Sequence, residues 1–303
     1  MTNIKILDCT LREGGYVNDW NFGKNVIFSI FSSLLNSKVD YIEIGYLKDN
    51  LVFDIDKTLF SSLDDVKHVL PFKNNLFLMI NFGEVSVDSL KNTDFGLSIA
   101  FKKKDYFQAL EYCKKAVQKG FKIFINPMSI NLYSLNELKY IIQMTNKIKP
   151  FALTIVDSFG SMNENEIIEK FSFINENLNN NISLSLHLHD GLNQAKSAIK
   201  KIIEQEKNRE IIIQTSIDGI GRGVGNLRTQ DFCDKFDCNV SFGSKTDYEM
   251  EIYKICASKN IHPNYAKFLI DNNVSFLKVD DILSSISIDF QTVFNKQIIT
   301  DLI

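Results

Sequence analysis

Short apolar, β-branched runs alternate along this chain with longer stretches whose apolar residues recur every three or four positions. The short runs predict strands at Ile4–Asp8, Asp40–Gly45, Leu76–Asn81, Gly96–Phe101, Lys122–Asn126, Ala152–Asp157, Ser183–His189 and Ile211–Ser216. The longer stretches include Tyr106–Lys119, Ser134–Ile148, Asn165–Asn177 and Gly191–Glu206. They keep Lys, Glu and Asn off one apolar face and so predict amphipathic helices. Ser134 and Asn163 are the expected N-caps, and Gly120 stands where a helix C-cap belongs.

Strand followed by helix implies parallel strands joined by helical crossovers. Eight such units in about 235 residues match a (β/α)₈ TIM barrel. The competing α/β fold, a doubly wound open sheet, rarely spaces eight units so evenly. Residues 1–242 therefore read as a TIM-barrel catalytic domain, and residues 243–303, which lack a strand pattern, as a helical C-terminal extension.

Composition narrows the function classes. The chain has 303 residues, 45% apolar and 23% charged, with a net charge of −3, which suits a globular core and offers no broad basic surface for nucleic acid. Lys102–Lys104 is short enough to be a solvated turn. The first residues lack a signal-peptide pattern, and no apolar run reaches the length of a membrane span. Five scattered cysteines (Cys9, Cys113, Cys233, Cys238, Cys256) argue against a disulfide framework. The expected location is cytoplasmic.

The polar residues gather where strands end, which in a TIM barrel is the active-site face. The first strand runs into Asp8-Cys-Thr-Leu-Arg12-Glu13-Gly14-Gly15-Tyr16, the second holds Glu43 and continues to Tyr46, and the third and fifth end at Asn81 and Asn126. The sixth ends at Asp157, the seventh at His187-Leu188-His189-Asp190, and the eighth leads into Gly219-Ile-Gly-Arg-Gly-Val-Gly225-Asn226. Residues i and i+2 of a strand share a side, so His187 and His189 can hold one divalent metal. The plainer alternative is two unrelated histidines, one in the core and one outside. A carboxylate would complete the set, and Asp8, Glu13, Glu43, Asp157 and Asp190 are all candidates. Gly14-Gly15 is expected to let backbone approach a ligand, and the later glycine-rich loop is either a phosphate cradle or a flexible turn. His68 and His262 have no such company, although His262 could close over the site.

These residues carry a resemblance. Asp8-Cys-Thr-Leu-Arg12-Glu13-Gly14 resembles the Asp-x-Thr-Leu-Arg-Asp/Glu-Gly signature of the DRE-TIM metallolyase superfamily (HMG-CoA lyase-like and 4-hydroxy-2-oxovalerate aldolase-like). The His-x-His and the loop ending Gly225-Asn226 match its other two signatures, and Asp157-Ser158-Phe159-Gly160 is similar to a further family segment. The resemblance covers roughly residues 4–235. It implies Glu13, His187, His189 and Asn226 around the metal, Arg12 steadying an enolate oxygen, and Asp8 orienting its neighbours. It also implies a divalent ion, with Mn²⁺ or Mg²⁺ first and Zn²⁺ or Co²⁺ as alternatives. Where related aldolases place a histidine, this chain has Tyr16. The general acid/base is therefore open among Tyr16, Tyr46, Glu43, Asp157 and Asp190, and the chain reads as a divergent aldolase-like subgroup.

Three functions follow. The first is a metal-dependent aldolase, a carbon–carbon lyase that takes a 4-hydroxy-2-oxo acid to pyruvate and an aldehyde, or the reverse, through an enolate at the metal. The second is a Claisen-type synthase joining an acyl-CoA to a 2-oxo acid, of the homocitrate or isopropylmalate synthase kind. The third, a non-catalytic barrel scaffold, predicts decayed ligands. The expected partners are a 2-oxo acid, an aldehyde, a second copy of the chain as a homodimer, and an aldehyde dehydrogenase. Arg12→Ala is expected to abolish turnover while sparing the fold.

Overall fold

The apolar runs form strands where the alternation places them. A computed structural model describes residues 3–37, 39–71, 75–91, 95–233, 236–238, 240, 242 and 245–303. The strands are β1 (Ile4–Asp8), β2 (Tyr41–Leu47), β3 (Leu59–Phe60), β4 (Leu76–Asn81), β5 (Gly96–Phe101), β6 (Ile123–Pro127), β7 (Ala152–Asp157), β8 (Ser183–Leu188) and β9 (Ile211–Thr215). All pair in parallel in the order β1-β9-β8-β7-β6-β5-β4-β2, and β1 pairs with β2 to close the ring. The fold is a TIM barrel with surrounding helices, as expected.

The expected caps form. Ser134 accepts a hydrogen bond from the Glu137 amide and Asn163 from the Glu166 amide, and each glutamate answers the cap's own N–H. These capping boxes start the helices Leu135–Ile148 and Glu164–Asn177. Gly120, just past the helix Tyr106–Gln118, takes a φ of 92° and lets the chain turn back, with the Phe121 N–H donating to the Ala116 carbonyl.

Three features depart from the even rhythm, and the last of them, the β2–β4 register shift, bears on the site. Among the described residues no helix joins β4 to β5. The short β3, not expected from the pattern, pairs with the outer end of β2. The β2–β4 register shifts between Glu43 and Tyr46, around Gly45 at φ 141°. A side chain on Gly45 would strike the Thr58 carbonyl at 2.1 Å, so only glycine allows this close approach. The bulge brings Tyr46 to the cavity wall although its spacing from Glu43 is odd.

Inside the ring, the lower layer is apolar and aromatic, with Leu7, Phe77, Phe124, Ala152 and Ile212 buried together and Tyr41 and Phe151 packed against them. Outside it, the helices bury a continuous aliphatic shell against the strands. The helices Asp247–Ser258, Asn264–Asp271, Phe276–Ser284 and Lys296–Leu302 share a core of their own around Tyr265, Leu269, Val279 and Leu283, with the short helix Ile288–Gln291 outside it. Gly243, the expected start of the extension, lies outside the described residues. These helices lean on the barrel's active-site face. A Cβ on Gly191 would come within 2.6 Å of the Ala257 side chain, Ser161 Oγ donates to Asn260 Oδ1 at 3.0 Å, and the His262 ring lies 5.7 Å from Phe159. No helix among the described residues is long and apolar enough to cross a membrane.

Candidate active site

The chain leaves β1 directly into a helical turn, Thr10–Glu13, whose four residues are all buried. Asp8 shapes this exit: its Oδ1 accepts the Thr10 N–H at 2.9 Å and its Oδ2 accepts the Thr229 hydroxyl at 2.5 Å. Burial pushes the Asp8 carboxyl up to about 6, against those hydrogen bonds. Thr10 in turn accepts the Ile217 N–H, so the start of the turn is tied to the segment after β9. Asp8 thus holds two strand exits together from behind, the orienting place the sequence suggested.

On the inner side, Glu13 meets the two histidines of β8. Ligand atoms of Glu13, His187 and His189 all lie within 4.8 Å of one another, and all three residues are buried. His187 Nε2 is 3.4 Å from Glu13 Oε1, while His189 Nδ1 sits 2.8 Å from the Asp157 carbonyl. That contact fixes an N–H on Nδ1 and aims the lone pair of Nε2 inward. Burial, with the nearby Arg12 charge, pushes His187 down to about 3. Burial and His187 itself push His189 well down too. Both imidazoles are therefore neutral, as ligands must be.

The donor set fits a divalent cation on a second ground. Glu13 Oε2, His187 Nδ1, His189 Nε2 and Asn226 Oδ1 are buried without a hydrogen-bond partner. Such orphans are costly unless something outside the chain answers them. Asn226 reaches the same corner: a Cβ on Gly221 would fall 2.2 Å from Asn226 Nδ2 and 3.1 Å from Glu13 Oε2. The glycine-rich loop is thus built to lie flat over this corner, and Asn226 Nδ2 is turned away to donate to the Ile220 carbonyl.

Arg12 is 4% exposed and ion-paired on both sides, to Glu13 and through Nε to Glu43 Oε2 at 2.5 Å. This corrects the expectation that Arg12→Ala would spare the fold. Truncation would strand Glu43, fully buried, without its countercharge, and that class of loss costs about 3–5 kcal/mol.

Gly14 and Gly15 also differ from expectation. A Cβ on Gly15 would lie 2.0 Å from the Trp20 indole, and one on Gly14 would press on the Thr10 carbonyl and the Phe22 ring. The pair makes room for aromatic packing rather than for a ligand. Trp20, held at φ 58°, donates from its indole to the Arg12 carbonyl at 2.9 Å and packs edge-on to Tyr16 and Tyr46. The two phenol oxygens are 2.5 Å apart. Burial pushes the Tyr46 phenol well up, so Tyr46 keeps its proton.

These groups line one cavity that opens to solvent. Its polar lining includes Arg12, Glu13, Tyr16, Tyr46, Asn81, Asn126, His187 and His189, and its apolar lining Met79, Ala100, Met128 and Val156. Glu43 and Asp157 do not line it. Glu43 sits beneath Arg12, and the Asp157 carboxylate accepts the Ser161 and Met162 amides, bracing the loop behind His189. Asp190 accepts the Ala195 N–H at the start of a helix. His68 is exposed beside Phe53, and His262 accepts the Asn264 N–H within the C-terminal wall. Two polar lining residues, Gln214 and Arg222, were not singled out from the sequence. Gln214 was legible in principle, as the inward polar position of β9 two residues before the strand exit. Arg222 was hidden among glycines.

A closed parallel barrel with a buried Glu/His/His corner at its strand ends defines a class, the metal-dependent barrel enzymes. Comparison with known proteins gives the family. The HMGL-like family model matches residues 80–260, and the chain belongs to that family, within the DRE-TIM metallolyases. Members of the family are lyases and synthases and depend on a divalent metal. The chain is 23% identical over 228 residues to a homocitrate synthase of Pyrococcus horikoshii, covering 73% of this chain and 62% of that protein's length. It resembles the solved N-terminal domain of a candidate aldolase from Bacteroides vulgatus, with a TM-score of 0.71 and 22% identity over 91% of this chain and 98% of that one. A hydroxymethylglutaryl-CoA lyase from Pseudomonas aeruginosa follows at a TM-score of 0.59 and 12% identity, over 89% of this chain and 98% of that one. At these identities the structural likenesses speak to the fold.

Proposed function

We propose that this protein is a divalent-metal-dependent aldolase that cleaves a 4-hydroxy-2-oxo acid to pyruvate and an aldehyde, or runs the reverse. The observation that carries the reading is the group of buried, partnerless ligand atoms on Glu13, His187, His189 and Asn226 beside a buried arginine. These four residues would hold the metal, with Mn²⁺ or Mg²⁺ favoured. When bound, it supplies Lewis acidity toward a carbonyl oxygen.

The remaining work belongs to the chain. Arg12, fixed by Glu43, presents a preorganised cation where charge develops on the enolate oxygen of the 2-oxo acid. Tyr46 keeps its proton, and in this reading it is the donor in the bond shared with Tyr16, where either oxygen could donate, so that the Tyr16 hydroxyl hydrogen is free to face the cavity. In the addition direction Tyr16 gives this proton to the alkoxide that forms from the aldehyde and is left as phenolate, and in cleavage the same phenolate takes the proton back from the substrate's 4-hydroxyl. Asp157 acts by holding His189 and the loop after β7. The apolar lining accepts the carbon chain. Residues 1–242 are the catalytic unit in this reading, 243–303 its wall, and a homodimer working beside an aldehyde dehydrogenase its setting.

A second reading, a Claisen-type synthase using an acyl-CoA, is favoured by the match to a homocitrate synthase. One assay separates the two. Metal-stripped protein with and without Mn²⁺ is given a panel of 4-hydroxy-2-oxo acids, and pyruvate is measured. Metal-dependent pyruvate supports the aldolase. Silence there, with thiol release from acetyl-CoA and a 2-oxo acid, supports the synthase. His187→Ala should lose bound metal in the same preparation, and unchanged metal content would remove His187 from the ligands.

A further inference from the structure

Two arginines line the cavity, and their situations differ. Arg12 lies at the bottom, nearly closed off from solvent and neutralised by Glu13 and Glu43. Arg222 is half-buried at the rim, and among the described residues its guanidinium makes no ion pair and no hydrogen bond. It rests over the Tyr16 ring, with 5.4 Å from guanidinium carbon to ring centroid. The loop on either side is pinned: Gly221 has no room for a side chain against Asn226 and Glu13, and a Cβ on Gly223 would be 2.9 Å from Pro263. A guanidinium held over a substrate cavity with all its donors unanswered is a preorganised anion site.

We propose that Arg222 sets the substrate class: it grips an anionic group, a carboxylate or phosphate, on the aldehyde-derived end of the substrate, so the substrate is anionic at both ends. The inference rests on the 2-oxo acid reading above and sharpens it. Depth assigns the ends. Glu13, His187, His189 and Arg12 are all buried, so the 2-oxo acid end belongs at the bottom, where a bound metal would meet its charge. Met79, Ala100, Met128 and Val156 line the same cavity and can take the chain, and Arg222 lies over Tyr16, the residue assigned to the 4-hydroxyl. A substrate with a neutral tail would leave this guanidinium unmatched as the cavity dries.

Trp20 is the only tryptophan of the chain, and its ring lies 5.1 Å from that of Tyr16, so its fluorescence reports occupancy of the rim without turnover. Pairs of 2-oxo acids of equal length, 2-oxobutyrate with oxaloacetate and 2-oxopentanoate with 2-oxoglutarate, are titrated into Mn²⁺-loaded protein and read by this fluorescence and by calorimetry. Each diacid should bind about 10- to 100-fold tighter than its monoacid, the range of a charge-assisted hydrogen bond. Arg222→Gln should erase that preference and leave monoacid affinity within about twofold, and Arg222→Lys should restore part of it. No preference in the unaltered protein, or a Gln variant that weakens both members of a pair alike, would overturn the assignment. Failure of every 2-oxo acid to bind would overturn the parent reading and this inference with it. Replacing the far carboxylate by a phosphonate tells which anion the site prefers.

Discussion

The inside of the barrel presents two surfaces built on the same strands. The lower one is made by Leu7, Tyr41, Phe77, Phe124, Ala152 and Ile212, whose rings meet edge-on, as between Phe77 and Phe124 at 4.8 Å. Two residues further along their strands, on the same side, stand Glu43, Met79, Asn126, Thr154 and Gln214, while Cys9, just past β1, still packs with the lower layer. The lower layer is a core, where apolar and aromatic side chains pack together and burial itself is the gain. The upper layer keeps buried atoms without partners: Glu43 Oε1, Asn126 Oδ1, Thr154 Oγ1, and the ligand atoms of the metal corner. A step of two residues thus separates stability from chemistry, because strand periodicity sends both layers inward and only the side chains differ. What the lower layer contributes in packing, the upper layer spends on unpaired polar groups.

Substitutions can break this division. The largest effect should come from the lower layer: Phe124→Ala is expected to cost about 3–5 kcal/mol of stability, from the cavity it leaves. Chemical denaturation measures that loss, and metal stoichiometry of the folded fraction should not change. A variant that loses metal in step with stability would show that the layers are not separable. In the upper layer, Arg12→Lys keeps the charge facing Glu43 but loses the guanidinium fork. Turnover should fall about 100-fold, or about 2.7 kcal/mol, with the melting temperature nearly unmoved. Unimpaired turnover would remove Arg12 from the chemistry.

The smallest effect tests the C-terminal wall. Burial, helped by Arg222 and Lys102, pushes His262 down to about 3 from an ordinary 6.5. Its neutral form belongs to the folded state, so its contribution is complete above pH 6.5 and is lost as pH falls toward 3. His262→Gln should flatten that acid loss by about 1–2 kcal/mol. Thermal melts of both proteins between pH 7.5 and 4 check this, and parallel curves would mean that His262 does not couple to the fold.

Much of this was legible beforehand, for physical reasons. Period-two and period-3.6 patterns are local, so all eight barrel strands and the caps at Ser134 and Asn163 could be read from neighbours in the chain. The bulge at Gly45 could not, because it answers the Thr58 carbonyl, which sequence spacing does not reveal. Gly14-Gly15 looked like a ligand approach because glycine says only that something comes close, and here that something is Trp20. Glu43, Asp157 and Asp190 were equal candidates beside Glu13 as long as they were only acidic residues near strand ends.

The sequence by itself determined the barrel, the family, and the residue types that gather at its mouth, since these follow from periodicity and from short motifs written in consecutive residues. Only the tertiary structure decided which carboxylate faces the two imidazoles. It also decided that Arg12 is locked in ion pairs while Arg222 is not, and that Tyr16 and Tyr46 share one hydrogen bond. Those facts depend on distances between residues tens to hundreds of positions apart, and charge, proton affinity and ligand strength are set by what such distant neighbours leave unanswered.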